Sequence, residues 1–245
     1  MLKLNKFYRR TYFGEDIVAE RSLTGGQWTT RTEHVPSNVI NNQISNRALV
    51  FGNGPARLRF NTQHALNKKS GLLGADTLQL YSCNAAYRDF TADFLVCTNR
   101  EIAKELVDSG YTKDNVVYTR VDITLEFPKE FYLIPHDTYT DAGTTAIYLA
   151  AFDGHKKIYL LGFDNQESTR INNNIYADTN GYGAKLSTVS DTKWIDDKTT
   201  VFNVYNDVDF VYVSETGRAP FPEKWKYCTN LRQINYRDFV LEADL

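Results

Sequence analysis

From Arg47 onward, short apolar runs alternate with longer stretches that carry an apolar stripe, the pattern of βα units built around a largely parallel sheet. The runs Ala48 to Phe51, Thr77 to Tyr81, Phe94 to Cys97, Val116 to Tyr118, Lys157 to Leu161 and Phe210 to Val213 predict strands. They are short and rich in Val, Leu, Ile, Tyr and Phe, as strands covered on both faces should be. Helices are predicted over Arg100 to Ser109, closed by Gly110, over Thr144 to Phe152, closed by Gly154, and from Asp191, as N-cap, to about Tyr205. The fold expected is therefore α/β and Rossmann-like, a mostly parallel sheet flanked by helices.

Two regions depart from this pattern. The first forty-odd residues are punctuated by Gly25-Gly26, Pro36-Ser37-Asn38 and Asn41-Asn42 and show little apolar periodicity. They read as an extension, anchored by Tyr8, Tyr12, Phe13 and Trp28. The stretch 165–190 is polar and follows a strand directly, which reads as a functional loop or lid. The division expected is an N-terminal extension over 1–46, a nucleotide-binding domain over 47–214 and a C-terminal tail over 215–245 that packs on the core.

The charge balance, 28 Lys+Arg against 30 Asp+Glu, excludes a strongly basic nucleic-acid binder. No apolar run approaches the roughly 20 residues of a membrane span, so a soluble, cytoplasmic protein is expected. Cys83, Cys97 and Cys228 lack ligand spacing, which predicts buried thiols and no metal site. Homo-oligomerisation is left open by the sequence.

Candidate chemistry gathers at strand ends. Gly52-Asn53-Gly54-Pro55 follows the first strand, where glycines let the backbone approach a ligand and Pro55 presets a turn. It is neither the dinucleotide fingerprint nor the P-loop. Asn84 ends the next strand and offers an amide to a sugar or base. Gly143 and Thr144 open a helix able to hold a phosphate or ribose, and Asp164 follows Gly162 at a further strand end. In a doubly wound sheet these ends share one crevice.

The ordered motifs Gly52-Asn53-Gly54-Pro55, Cys83-Asn84, Ala142-Gly143-Thr144 and Gly154 through Asp164 resemble those of the glycosyltransferase family 42 sialyltransferases. The same frame is similar to the MptE-like 6-hydroxymethylpterin pyrophosphokinases, a group with many uncharacterised tailed-phage members, which would extend the location to a virus-infected host cell. The resemblance covers roughly Ala48 to Val213. It implies a nucleotide-sugar donor, CMP-type favoured, held by Asn53, Gly54, Asn84, Gly143 and Thr144, and an acceptor that the sequence does not name. Mg²⁺ would be required only by the diphosphokinase reading.

Ala56 stands where the family has Ser, Tyr139 where it has Arg, and Ala142 where it has a second Ser. The family's catalytic His has no counterpart, since no His follows His155. His136, beside Asp137, is then the expected base, with Asp164 in reserve. Tyr176, Asp178, Tyr182 and Lys185 lie where the family places lid and acceptor contacts, and Tyr182 is the catalytic candidate among them. The readings in play are a nucleotide-dependent transferase, a diphosphokinase, and a binding or structural module that keeps the crevice without the chemistry.

Overall fold

The computed structural model describes residues 3–11, 14–24, 26–33, 45–68, 78–136, 139–164, 174–183, 191–219 and 222–245. Its principal sheet has eight strands: β4 (Arg47–Phe51), β5 (Leu78–Cys83), β6 (Phe94–Val96), β7 (Val116–Thr119), β8 (Tyr132–Leu133), β9 (Lys157–Leu161), β10 (Asp209–Ser214) and β11 (Leu231–Asn235). Their order is β11-β10-β9-β4-β5-β6-β7-β8, and every pair is parallel. The chain runs outward from β4 to one edge, returns to β9 beside β4, and then runs to the other edge. The switch point thus lies between β4 and β9, and in open parallel sheets ligands bind beyond the strand carboxyl ends at that point.

The described α-helices are α1 (Gln63–Asn67), α2 (Arg100–Asp108), α3 (Tyr111–Asp114), α4 (Val121–Glu126), α5 (Ala142–Phe152), α6 (Asp191–Val204) and α7 (Tyr236–Ala243). Alternate residues of the central strands enter separate cores. Ala48, Val50, Ile158, Leu160, Phe210 and Tyr212 pack with α5, Phe202 and Trp225, whereas Leu49, Phe51, Tyr159, Leu161, Val211 and Val213 pack with Phe60, Phe90 and Phe239. Both faces are covered, which is why these strands read as unbroken apolar runs. Helix α5 is the crossover from β8 to β9, and its residues from Ala142 to Ala151 are all buried.

The two flanking stretches carry elements of their own. The N-terminal segment forms β1 (Lys3–Thr11), β2 (Gly14–Thr24) and β3 (Gln27–Glu33), an antiparallel sheet in that order. Its register sets Lys6 opposite Glu20, Arg9 opposite Asp16 and Arg10 opposite Glu15. Cross-strand charge complementarity of this kind leaves no apolar alternation to read. The C-terminal stretch contributes β11 to the principal sheet and α7 to one core face, so it builds the fold as well as packing on it.

Candidate functional site

The Gly52 to Ala56 turn joins two strand ends. The Gly52 amide donates to the Leu161 carbonyl at 2.8 Å, the Gly54 amide to Gly162 at 2.8 Å, and the Ala56 amide to Asp164 Oδ2 at 2.8 Å. A Cβ on Gly52 would stand 2.2 Å from the Gly162 oxygen, and one on Gly54 2.3 Å from Asp164 Oδ2 and 2.7 Å from that oxygen. The glycines are therefore required by the approach of β4's exit to β9's exit. The Gly52, Gly54 and Ala56 amides of the turn are thus already engaged by protein acceptors. Pro55 is exposed and opens a 3₁₀ turn, Pro55–Arg59, for which Asp164 serves as the cap from another strand end. Burial raises the Asp164 carboxyl above its ordinary range, against the opposing pull of the Ala56 amide.

Arg57 fixes what surrounds this turn. Its side chain is 2 % exposed and meets Asp89 at 2.6 Å, the Tyr176 hydroxyl at 2.6 Å, the Gly52 carbonyl at 3.3 Å and Asn53 Oδ1 at 3.2 Å. The Tyr176 hydroxyl in turn donates to Asp89 Oδ2 at 2.5 Å. The described part of the polar excursion, residues 174–183, is held by further bonds: Ile175 N to the Asn53 carbonyl at 2.9 Å, Asn99 Nδ2 to the Gly181 carbonyl at 2.8 Å, and Arg88 to Thr179 Oγ1 at 2.8 Å. This part of the expected lid is bonded along the crevice wall. Lys185, Asp137 and the rest of 165–190 lie outside the described residues.

Asn84 and Tyr182 stand at that wall. Asn84 has φ 45°, the left-handed region that Asn tolerates, and its Oδ1 accepts from the Thr98 amide at 3.0 Å. Tyr182 stacks on Tyr176 with ring centroids 6.3 Å apart, and its hydroxyl lies beside Asn84, the Ala85 amide and, at 3.5 Å, Asn53 Nδ2. Burial pushes the Tyr182 phenol up to about 12, so it keeps its proton at neutral pH, and its oxygen accepts from Asn53 Nδ2.

The fourth element is the N-terminus of α5. Asp141 caps it, accepting from the Thr144 amide at 3.0 Å and from the Thr144 hydroxyl. Among the described residues the Ala142 and Gly143 amides meet no acceptor. Beside them lies a group that the sequence reading missed, Lys198 of α6. Its side chain is wholly buried, with Nζ 2.7 Å from Thr144 Oγ1, 3.4 Å from Asp141 Oδ2 and 3.4 Å from the Trp194 ring centroid. Burial lowers this lysine to about 8, against the opposing effect of Asp141. Burial alone would raise the Asp141 carboxyl, but Lys198 and Thr144 outweigh it and hold it below its ordinary range. The one sequence clue is that Lys198 follows Trp194 by four residues, which puts both on one helix face.

The structure thus brings Gly52, Asn53, Gly54, Asn84, Gly143, Thr144, Asp164 and Tyr182 to the carboxyl ends of β4, β5 and β9, with Phe163 between them. A Cβ on Gly143 would be 3.0 Å from the Phe163 ring. His136 stands apart from this group. It is exposed, with its ring 6.0 Å from that of Phe152 at the other end of α5, about 14 Å along the helix from Gly143. Its place before Gly143 in sequence suggested proximity, but the chain between β8 and α5 runs alongside Phe152 first. Cys83 and Cys97 are buried thiols pushed up to about 12 by burial. Among the described residues no group of three or more His, Cys, Asp or Glu could hold a metal ion, and no helix is long and apolar enough to cross a membrane.

No family model matches the chain, and no curated protein matches it. Among solved structures it is similar to the sialyltransferase CST-II in complex with a trisaccharide acceptor and CMP, at 12 % identity and a TM-score of 0.39, covering 68 % of this chain and 80 % of that one. It is also similar to the monofunctional α-2,3-sialyltransferase Cst-I from Campylobacter jejuni, at 13 % identity and a TM-score of 0.42, covering 73 % and 79 %. A third likeness is to CstII from Campylobacter jejuni with the substrate analogue CMP-3FNeuAc, at 10 % identity and a TM-score of 0.40, covering 68 % and 79 %.

Proposed function

We propose that this chain is a nucleotide-dependent transferase of the glycosyltransferase kind, binding a CMP-type nucleotide sugar at the carboxyl ends of β4, β5 and β9. The observation that carries the reading is the pair of unengaged Ala142 and Gly143 amides beside the buried Lys198. Open amides and a positive dipole at a helix start favour a phosphate there, and a neighbouring cation adds to that preference. The phosphate accordingly belongs over Ala142 and Gly143, not over the Gly52 to Pro55 turn, whose Gly52 and Gly54 amides are spent on Leu161 and Gly162. Asn53, Asn84 and Tyr182 then face the sugar or base with amide and phenol groups.

Transfer would break the bond between the anomeric carbon and the phosphate oxygen, the electron pair leaving with the nucleotide. The acceptor oxygen would form the new bond and give up its proton. The donors at α5 stabilise the departing phosphate, and Asp164, whose basicity burial raises, replaces His136 as the proposed base. Its contact with Ala56 uses one oxygen, and a carboxylate has further lone pairs.

The engaged turn amides favour a second reading, a binding module without turnover. Hydrolysis or transfer of a CMP sugar separates these two, and thermal denaturation with CMP, CDP, UDP and ATP, with and without Mg²⁺, identifies the nucleotide. A native-state ligand raises stability by about 2.7 kcal/mol at a hundred times its Kd. A rise with CMP, without Mg²⁺, is expected. A rise confined to ATP with Mg²⁺ would move the assignment to the diphosphokinase class, and no rise with any nucleotide would overturn it.

A further inference from the structure

At the opposite end of the sheet from the crevice, four groups form a chain of short contacts that no catalytic role uses. His155 Nδ1 lies 2.7 Å from the Ser45 carbonyl, His155 Nε2 lies 2.9 Å from the Tyr81 hydroxyl, and that hydroxyl lies 2.8 Å from Asp153 Oδ2. Tyr81, Asp153 and His155 are wholly buried and Ser45 nearly so. The cluster ties the C-cap of α5, Asp153, to the entry of β9 and to the body of β5.

Each contact joins two electronegative atoms, so each needs a hydrogen between them. Three are therefore required. A neutral imidazole supplies one and the phenol supplies one. With Asp153 ionised the third is missing, and two lone pairs would face each other at under 3 Å in a fully buried site.

We propose that the native Ser45–His155–Tyr81–Asp153 cluster binds one proton beyond those of a neutral histidine, a tyrosine and an aspartate anion, and that it couples the attachment of α5 to pH. Two placements satisfy the geometry: an imidazolium with a carboxylate, or a neutral imidazole with an Asp153 carboxyl group. The second buries no charge, and burial, which pushes His155 down to about 4, favours it. Burial holds the Tyr81 phenol well above its ordinary range, so it keeps its proton. Among the groups facing the cluster, Tyr118 and Asp93 lie towards Tyr81, and Tyr205, its ring centroid 6.1 Å from that of Tyr148, lies towards Asp153. The neighbouring Lys156 and Lys157 carry their ammonium groups away, to Asp207 and to Glu242 and Asp209.

The sign of the linkage follows from proton counts. Above pH about 6.5 the unfolded chain has a neutral His155 and an ionised Asp153, so it holds one proton fewer than the native cluster, and stability falls as pH rises. Asn at 153 supplies its own N–H to the Tyr81 oxygen and removes the need for the extra proton. Urea unfolding of the full chain between pH 6.5 and 9 is expected to show the wild-type folding constant falling about tenfold per pH unit relative to Asp153→Asn. Parallel profiles would overturn the proposal. Should that variant fail to fold, the wild type decides the matter at pH 8. Histidine ¹⁵N shifts and the carboxyl infrared region must show either an imidazolium or a protonated carboxyl group, and a neutral His155 with every carboxyl ionised would overturn it.

Discussion

The Gly54 amide donates to the Gly162 carbonyl at 2.8 Å, and this bond ties together the two strand exits that flank the switch point. Substituting either glycine of the turn therefore tests packing before it tests ligand binding. At Gly52 a Cβ meets backbone, 2.2 Å from the Gly162 oxygen, and backbone cannot step aside. Gly52→Ala is expected to destabilise by about 1–3 kcal/mol or more in urea titration. Gly54→Ala also meets Gly162, yet the nearer obstacle is the Asp164 carboxylate, a side chain that can turn, so its cost should be the smaller of the two. A Gly52→Ala protein as stable as wild type would contradict the splice.

Arg57 holds four acceptors that no other residue type can reach together. Its planar fork meets Asp89, Tyr176, Gly52 and Asn53 from a position 2 % exposed. Asp89 remains half in water, so the electrostatic loss on removing Arg57 is moderated and the lost bonds dominate. Arg57→Met and Arg57→Lys are both expected to cost about 2–3 kcal/mol, since a lysine keeps the charge but replaces the fork with one point. Both should also expose residues 174–183 to protease. If Arg57→Lys behaves as wild type, charge alone anchors the wall.

How legible this was differs by element. Strands β4, β9 and β10 were visible because both their faces are buried, and a Gly exit also marks the ends of β4 and β9. The two-residue β8 and the mixed Leu231–Asn235 strand carry too little apolar signal to stand out. The antiparallel β1 to β3 sheet was hidden because charged and polar residues interrupt any apolar alternation along its strands. At the site, Gly52, Gly54 and Asn84 were recognisable as backbone specialists, but whether a glycine serves a ligand or a neighbouring strand depends on what faces it, here Gly162. Lys198 looks like any solvated helix lysine until Trp194, Phe163 and Thr144 enclose it.

Lys198 gives a pH signature of the opposite sign to the buried histidine cluster. Its native value is about 8 against 10.5 for the unconstrained group, so between these pH values the unfolded chain holds the proton that the native state has released. Stability should therefore rise with pH across that window, by roughly 3 kcal/mol in all, and level off above it. Lys198→Met removes the titrating group and keeps the apolar stem. The difference between wild-type and Lys198→Met unfolding free energies from pH 7 to 11 isolates the effect from the Asp153 linkage. A difference independent of pH would show that Lys198 keeps its proton throughout.

If Asp164 is the base, its two roles can be separated by one atom. Asp164→Asn keeps an oxygen for the Ala56 amide, so the cap on the Pro55–Arg59 turn survives, but the amide cannot take up a proton. A positioned base contributes roughly 10²–10⁴-fold to turnover, and that loss is expected with nucleotide affinity unchanged. Asn84→Gly is the complementary probe. Glycine accepts the left-handed backbone at φ 45° while the side chain that contacts the Thr98 amide and lies beside Tyr182 is removed. It should weaken nucleotide binding, by about tenfold for one net hydrogen bond, with turnover at saturation little changed. Isothermal titration with CMP and single-turnover kinetics on a CMP sugar read the two effects separately. Should Asp164→Asn lose affinity and keep its turnover, Asp164 is a structural cap alone and the proton must go elsewhere.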